Sequence, residues 1–512
     1  MSTRPRNLIL LQIDSLCRHF LPCYGNTWVQ APNLAAFAER ALIYDRHYAG
    51  SLPCMPARRE IWAGSEEFWW RWWGPLEPWD RSLAFHLRAL GVTTQLITDH
   101  YHLFEWGSHS YHCDYAGYEF IRGHEFDNWR TRPLDVIPEW AGKMVEKHPL
   151  DVRQYLRNVR DFDGEADFFG PRVMQSTSDW LRENARGGPF FLHVDCFDIH
   201  EPFHVPEPYR SLYTDADHTR FNPWPLYGRT DAGWAALGQE EIDWVRAQFA
   251  GKLTMVDRWL GRVFDALEQT GLWDETIVII TTDHGHFLGE HGWIGKPGAP
   301  LYDELRHLPL LVWHPDAPGG GRRVPAITQT VDLHATILDL LGTRPDRAAT
   351  HARSFAATIE DPERDHRALA ISGYNNERVA ISDREWTLLR THEPGAAPPY
   401  VYTQQIEQVN NFGLFMREYW RREDFEDIEA GHFIPGTGMP VWRMLRDDGE
   451  GWDADQPPGD LLFHADDVSQ LVDRSAAEPA VVARLERALA RHAVAIGAPE
   501  EQLMRLRLAR PA

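Results

Sequence analysis

Only five of the 512 residues are cysteine (Cys17, Cys23, Cys54, Cys113 and Cys196), and no two of them stand in a Cys-x-x-Cys pair. That scatter excludes a zinc knuckle and argues against a disulfide framework, a device of much smaller chains. Positive charge is also scarce. Lys plus Arg number 52 against 75 Asp plus Glu, a formal charge of −23. Nucleic acid is therefore not an expected partner, because phosphate backbones need a basic footprint. An anionic substrate would have to be drawn in by a local cluster of cations against the overall field. No apolar run is long enough to span a bilayer, and Met1 to Asn7 form no apolar signal region with a small-residue cleavage site. The expectation is a cytoplasmic protein with no membrane partner.

What the chain does contain is material for a large interior: 43% of its residues are hydrophobic and 12% aromatic. The length exceeds one ordinary core, so a large domain with a smaller appendage is expected. Asn7–Ile13 is a short apolar run ending at Asp14, the pattern of a buried parallel strand with a polar tip. The pattern recurs at Gly91 to Asp99, Pro189 to Asp195 and Thr276 to Asp283, with a fifth apolar run at Leu308 to Trp313. Helical periodicity fills the gaps at Asn33 to Ala41, Leu83 to Leu90 and Glu241 to Thr270. Such alternation predicts an α/β fold, a large mostly parallel sheet sandwiched by helices over residues 1–360. Ligands gather beyond the carboxyl ends of such strands, where Asp14, Asp99, Asp195 and Asp283 fall. Residues 361–512 read as a smaller C-terminal α+β subdomain. It has short antiparallel strands at Ala368 to Ser372, Arg378 to Ser382 and Glu385 to Thr391, Pro/Gly-rich loops, and a helix from Glu478 to Ile496.

The most informative run is Ser51-Leu52-Pro53-Cys54-Met55-Pro56-Ala57-Arg58, followed by Ala63-Gly64. A lone cysteine is ordinarily a small buried hydrophobe. This one fits Cys-x-Pro-Ala-Arg and resembles the site at which type I sulfatases oxidise a cysteine to formylglycine. Downstream lies Thr281-Thr282-Asp283-His284-Gly285-His286-Phe287-Leu288-Gly289-Glu290-His291-Gly292, where sulfatases and their phosphonate-hydrolysing relatives carry a similar segment. A carboxylate and an imidazole at a strand tip suit a divalent cation. The glycines let the backbone turn tightly beside it. The resemblance is to the formylglycine-dependent sulfatase family of the alkaline phosphatase superfamily, including its phosphonate monoester hydrolase branch. It runs from Asn7 to about Val468, where Leu461 to Asp467 resembles a segment near the end of many sulfatases.

The resemblance implies one divalent metal (Mn, Ca, Fe or Zn) held by Asp14, Cys54 as formylglycine, Asp283 and His284. It also implies that Arg58 holds the formylglycine hydrate, that Lys296 neutralises a substrate oxygen, and that His200, in Phe197-Asp198-Ile199-His200-Glu201-Pro202-Phe203, protonates the leaving oxygen. Arg58 lies four residues after Cys54, on the same face of a helix. A hydrated formylglycine is a geminal diol. One hydroxyl attacks and the other later expels the product, a second step that a thiol lacks. Two departures stand out. Sulfatases read Asp-Asp where this chain has Asp14-Ser15, and the phosphonate monoester hydrolases carry a neutral residue there. Where sulfatases have Gly-Lys-Trp-His, this chain has Asp99-His100-Tyr101-His102, which removes a lysine and offers His100, Tyr101 and His102 as donors.

The expected function is sulfate ester hydrolysis by covalent attack of the hydrate on sulfur. The alternative is a phosphonate monoester or phosphodiester hydrolase with the same site. A catalytically inactive anion-binding protein ranks lower. So does a two-metal phosphatase recruiting His286 and His291, which would leave the Cys-x-Pro-Ala-Arg run unexplained. The implied partners are a small anionic ester and a formylglycine-generating enzyme during maturation, with a homo-oligomer left open. Phe68-Trp69-Trp70-Arg71-Trp72-Trp73 reads either as an aromatic wall for a substrate ring or as packing under a loop or at a subunit interface.

Overall fold

The computed structural model describes residues 7–105, 110–296, 298–317, 319–345, 350–393, 395–405, 428–445 and 459–510. Its main sheet has nine strands: β1 (Asn7–Ile13), β2 (Leu42–Tyr48), β3 (Thr93–Thr98), β4 (Gly117–Phe120), β5 (Phe190–Cys196), β6 (Thr276–Thr281), β7 (His307–Leu308), β8 (Leu310–Trp313) and β9 (Arg323–Gln329). They lie in the order β7-β2-β8-β6-β1-β5-β3-β4, and β9 pairs with β2. β1 sits at the centre, parallel to both β5 and β6. Its side chains alternate between two apolar layers: Ile9, Leu11 and Ile13 face one, Leu8 and Leu10 the other. A strand covered on both faces reads as an unbroken apolar run for this reason.

The first layer is completed by α1 (Pro32–Arg40), α3 (Phe169–Asn184) and α4 (Gln239–Thr270), through residues such as Phe37, Met174 and Leu253. The second is completed by α2 (Cys54–Ala63) and α5 (Thr330–Leu340), through Ile61 and Ile337. Among the described residues no helix is long and apolar enough to cross a membrane.

The fifth apolar run differs in direction from the four others. β8 is antiparallel to β6 and to β2. Residues 282–296 and 298–306 lie beyond the carboxyl end of β6, so the chain re-enters the sheet from that end and must run back beside it. Burial on both faces looks the same in sequence for either direction.

After residue 360 the expected short strands appear as Ala370–Gly373, Val379–Ser382 and Trp386–Arg390. With Leu461–His464 they form a four-stranded antiparallel sheet. Helix α6 (Pro479–Ile496) packs Leu485 and Leu489 into a core shared with Ile381 and Leu388. A second, three-stranded sheet (Tyr400–Thr403, Glu429–Gly431, Val441–Leu445) stands where only Pro/Gly-rich loops were expected. The rest of that stretch, 406–427 and 446–458, lies outside the described residues.

The tryptophan-rich run joins the two parts. Phe68, Trp69 and Trp70 are buried in the same core as α6, and Trp72 stacks on Tyr374 with ring centroids 5.7 Å apart. The packing reading therefore fits most of the run, although Trp73 sits edge-on to His102 at 4.9 Å. The four-stranded sheet also touches the segment before Cys54. The Leu52 N–H donates to the Gly373 carbonyl at 3.1 Å and the Gly373 N–H to the Gly50 carbonyl at 2.9 Å.

Candidate active site

Parallel pairing places three carboxylates side by side. Asp14 follows β1 directly, Asp195 is opposite Gln12 near the end of β5, and Asp283 lies two residues beyond β6. Cys54 is the first residue of α2, whose amino end points into the same space, and Arg58 is one turn on. All of these side chains are buried.

The Arg58 guanidinium ties the floor together. It donates to Asp195 from Nε (2.8 Å) and Nη2 (2.7 Å), to Asp14 Oδ2 from Nη2 (2.9 Å), to Asp283 Oδ2 from Nη1 (2.6 Å), and to the Cys54 carbonyl from Nη1 (3.3 Å). Three buried carboxylates around one guanidinium leave an excess of negative charge. Burial, together with repulsion from Asp283, pushes the Asp14 carboxyl up to about 7. Asp283 moves the other way. Burial opposes its charge, but the Arg58 guanidinium beside it holds it below the usual carboxylate range.

The four expected metal ligands come together here. Donor atoms of Asp14, Cys54, Asp283 and His284 all lie within 4.8 Å of one another. His284 Nδ1 donates to the Gly285 carbonyl at 2.8 Å, so Nε2 is the nitrogen left as acceptor, and it lies 3.0 Å from Cys54 Sγ. Burial drives this imidazole down to about 3, which keeps it neutral and able to ligate. Two carboxylates and one neutral imidazole, with surplus negative charge, are a donor set that fits a divalent cation. The local backbone explains the glycines. A Cβ on Gly285 would stand 1.9 Å from the Glu304 carbonyl oxygen, and Gly289 has φ +105°. Ser15 offers no second carboxylate, and its hydroxyl donates to Asp14 Oδ1 at 2.7 Å.

The opposite wall is built from loops. Lys296 Nζ lies 3.9 Å from Cys54 Sγ and contacts His200 Nε2. Burial works against its ammonium, but Cys54, Glu201 and Asp14 nearby more than offset that and raise its pKa. His200 Nδ1 lies 2.9 Å from both the Glu201 carbonyl oxygen and Glu125 Oε1. Of the three expected substrate donors, His100 lies on the floor with Nε2 3.7 Å from Asp14, and burial lowers its pKa well below the ordinary value. The Tyr101 hydroxyl donates to Glu125 Oε2 at 3.2 Å. His102 sits between Glu105 (2.6 Å) and Glu125 (3.7 Å). Against burial, its two acidic neighbours bring its pKa up to about 9.

Three residues of this site were not singled out in the sequence, Glu125, Glu201 and Tyr374, and Asp195 was named without a role. Asp195 did carry a signal, its place at a strand tip. Tyr374, from beyond residue 360, donates its hydroxyl to the Lys296 carbonyl at 3.0 Å. Asp99, the fourth strand tip, belongs instead to a buried group with His124 and Asp198, where the Lys252 ammonium already pairs with Asp198 at 2.5 Å. Among the described residues neither His286 nor His291 joins a candidate metal group.

The sequence matches the Sulfatase family over residues 6–343. The N-acetylglucosamine-6-O-sulfatase of Bacteroides thetaiotaomicron is 37% identical over 404 residues, 66% of this chain and 68% of that protein. The multifunctional alkaline phosphatase superfamily protein PehA of Trinickia caryophylli is 26% identical over 403 residues, 67% of this chain and 75% of that one. Among solved structures, the phosphonate monoester hydrolase of Agrobacterium radiobacter superposes with a TM-score of 0.63 at 19% identity, covering 96% of this chain and 95% of that one.

Proposed function

Since the chain belongs to the sulfatase family, we propose that it hydrolyses sulfate esters of a small alcohol. Cys54 would be carried as formylglycine, with one divalent metal at Asp14, residue 54, Asp283 and His284. The observation that supports this reading is the meeting of those four donor groups within 4.8 Å, with Arg58 and Lys296 on either side of Cys54. When bound, the metal draws electron density from the ester oxygens, and the formylglycine hydrate supplies a nucleophile whose second hydroxyl allows product release. An imidazole among the ligands favours manganese, iron or zinc over an all-oxygen calcium site and leaves calcium admissible.

The other residues bind, orient and move protons. Arg58 fixes the residue 54 carbonyl and the carboxylates around it. Lys296 places its ammonium where a sulfuryl oxygen gains charge, in surroundings that exclude water and strengthen the interaction. His200 gives a proton to the leaving alcohol oxygen. His100, Tyr101 and His102 take the place of the missing lysine on the substrate side. Residues 1–360 carry this chemistry, and 361–512 form a subdomain that braces it through Gly373 and Tyr374. The side chain of residue 54 depends on a formylglycine-generating enzyme during maturation.

Ser15 favours a second reading, hydrolysis of phosphonate monoesters or phosphodiesters at the same site, because it leaves the position after Asp14 without a carboxylate. The deciding experiment first establishes residue 54 as formylglycine by mass spectrometry. It then compares kcat/KM for an aryl sulfate and the matching aryl phosphonate monoester, with manganese and with calcium. Sulfate preference supports the first reading and phosphonate preference the second. Cys54→Ala should abolish turnover and leave the fold intact. Turnover by that purified, metal-replete variant would overturn both.

A further inference from the structure

The reaction above gives no task to Glu125, yet this residue sits at the junction of the loop wall. It is buried, and its backbone adopts φ +43°, a left-handed conformation that a long side chain takes up only at a cost. A residue present only to fill space would be cheaper as Gly or Asn. Its carboxylate instead reaches three separate partners. Oε1 lies 2.9 Å from His200 Nδ1. Oε2 accepts the Tyr101 hydroxyl at 3.2 Å and lies 3.7 Å from His102 Nε2.

The other groups facing His200 define what Glu125 adds. The Glu201 carbonyl shares Nδ1 at 2.9 Å, and the Glu201 carboxylate stands 3.5 Å away. Lys296 contacts Nε2. Lys252 donates to the His200 carbonyl at 2.5 Å, and the rings of Phe197 and His124 lie 4.3 and 6.5 Å off. Against burial, the two glutamates raise the imidazole pKa above its ordinary value. Nδ1 thus faces acceptors only, and Nε2 faces the Lys296 ammonium, a donor that must turn to the substrate oxygen before Nε2 can carry a proton of its own.

We propose that Glu125 is a positioning residue that holds Nδ1–H of His200 toward its carboxylate, so that Nε2 is the nitrogen presenting a proton to the leaving oxygen. This rests on the reading of His200 as general acid. As the bond from sulfur or phosphorus to the alcohol oxygen breaks, its electron pair passes to that oxygen, which takes the proton from Nε2. The imidazole is left neutral with Nδ1–H still donated to Glu125, and the carboxylate itself takes no proton.

General-acid help matters most when the leaving alkoxide is strongly basic. In formylglycine-bearing, metal-replete protein, Glu125→Gln should lower kcat about 10²-fold for an alkyl ester and less than about threefold for the 4-nitrophenyl ester. Both are measured on whichever class, sulfate or phosphonate, the parent turns over faster. The alkaline limb of the kcat profile should move to lower pH, and adding His200→Ala should cost the alkyl ester less in the Gln variant than it costs in the parent. Glu125→Asp keeps the charge and tolerates the left-handed backbone, so it should recover part of the loss. Independently of turnover, His200 followed by NMR in Cys54→Ala protein should titrate about one pH unit lower when Glu125 is also replaced by Gln. Equal losses for all leaving groups, an unmoved His200 titration, or an Asp variant no better than Gln would overturn the proposal. A parent that turns over neither ester, with the NMR shift intact, would instead remove the hydrolase reading and leave the Glu125–His200 pair standing.

Discussion

The two walls that meet at Cys54 are both buried but are assembled by different means. Asp14, Asp283, His284 and Arg58 stand at the ends of β1, β6 and α2, with Asp195 from β5 beneath them. Their positions follow from strand register, and one guanidinium satisfies the carboxylates at 2.6 to 2.9 Å. Lys296, His200 and Glu125 lie in loops, outside strands and helices, and His102 lies in a single 3₁₀ turn. Backbone pairing does not place them. Contacts between their own side chains do, with Glu125 and Glu201 as the acidic hubs. A wall set by register resists local change but loses everything with a ligand. A wall set by side-chain contacts should degrade gradually.

The sharpest way to break this contrast is to remove a strand-tip ligand. Asp283→Ala should lower kcat/KM about 10³-fold or more, the several kcal/mol that a Lewis-acid metal contributes, and should abolish metal retention in a stoichiometry measurement. Metal retained at full occupancy with activity near the parent would show that the strand tips are not the metal wall.

The next effect is one of pH. Asp14 would ligate as a carboxylate, and its pKa lies above its usual 3.8, at about 7. Binding must then displace a proton below that pH, so apparent metal affinity should rise about tenfold per unit, about 10²-fold from pH 5 to 7, and level off above. Calorimetric titrations across that range read it directly, and a flat profile would mean that Arg58 alone already keeps Asp14 ionised. The smallest effect belongs to the loop wall. Tyr374→Phe removes one buried hydrogen bond to the Lys296 carbonyl. That loss of about 1 kcal/mol should lower kcat/KM about fivefold. A loss as large as that of Asp283→Ala would make the C-terminal region an equal partner in the chemistry.

The same division decides what could be read from the sequence. Asp14, Cys54, Arg58, Asp283 and His284 were legible through runs that resemble those of the sulfatase family, and each run lies beside a strand or at the head of a helix, which brings the five together in the fold. Four central strands were legible as apolar runs with a polar tip. The direction of β8 was not, since two-sided burial produces one pattern for both directions. Glu125 sits in a loop with no periodicity, and its partners are 24, 23 and 75 positions away as Tyr101, His102 and His200. Its role depends on loop conformation, which no local residue pattern encodes. Tyr374 is further still, 78 residues from Lys296. Strands of three to five residues between 400 and 445 are too short to show alternation.

The placement of Cys54 also sets an order of events in the life of the molecule. Every residue from Ser51 to Arg58 is buried, Cys54 itself is 4% exposed, and Met55 and Ala57 show no exposed surface. An enzyme acting on the thiol would have to reach it, and the folded protein leaves neither Cys54 nor its neighbours accessible. If Cys54 is oxidised, that step would therefore have to be finished on the nascent or unfolded chain. Folding would then seal the outcome, and a molecule that folded first would keep its thiol beyond the reach of a modifying enzyme.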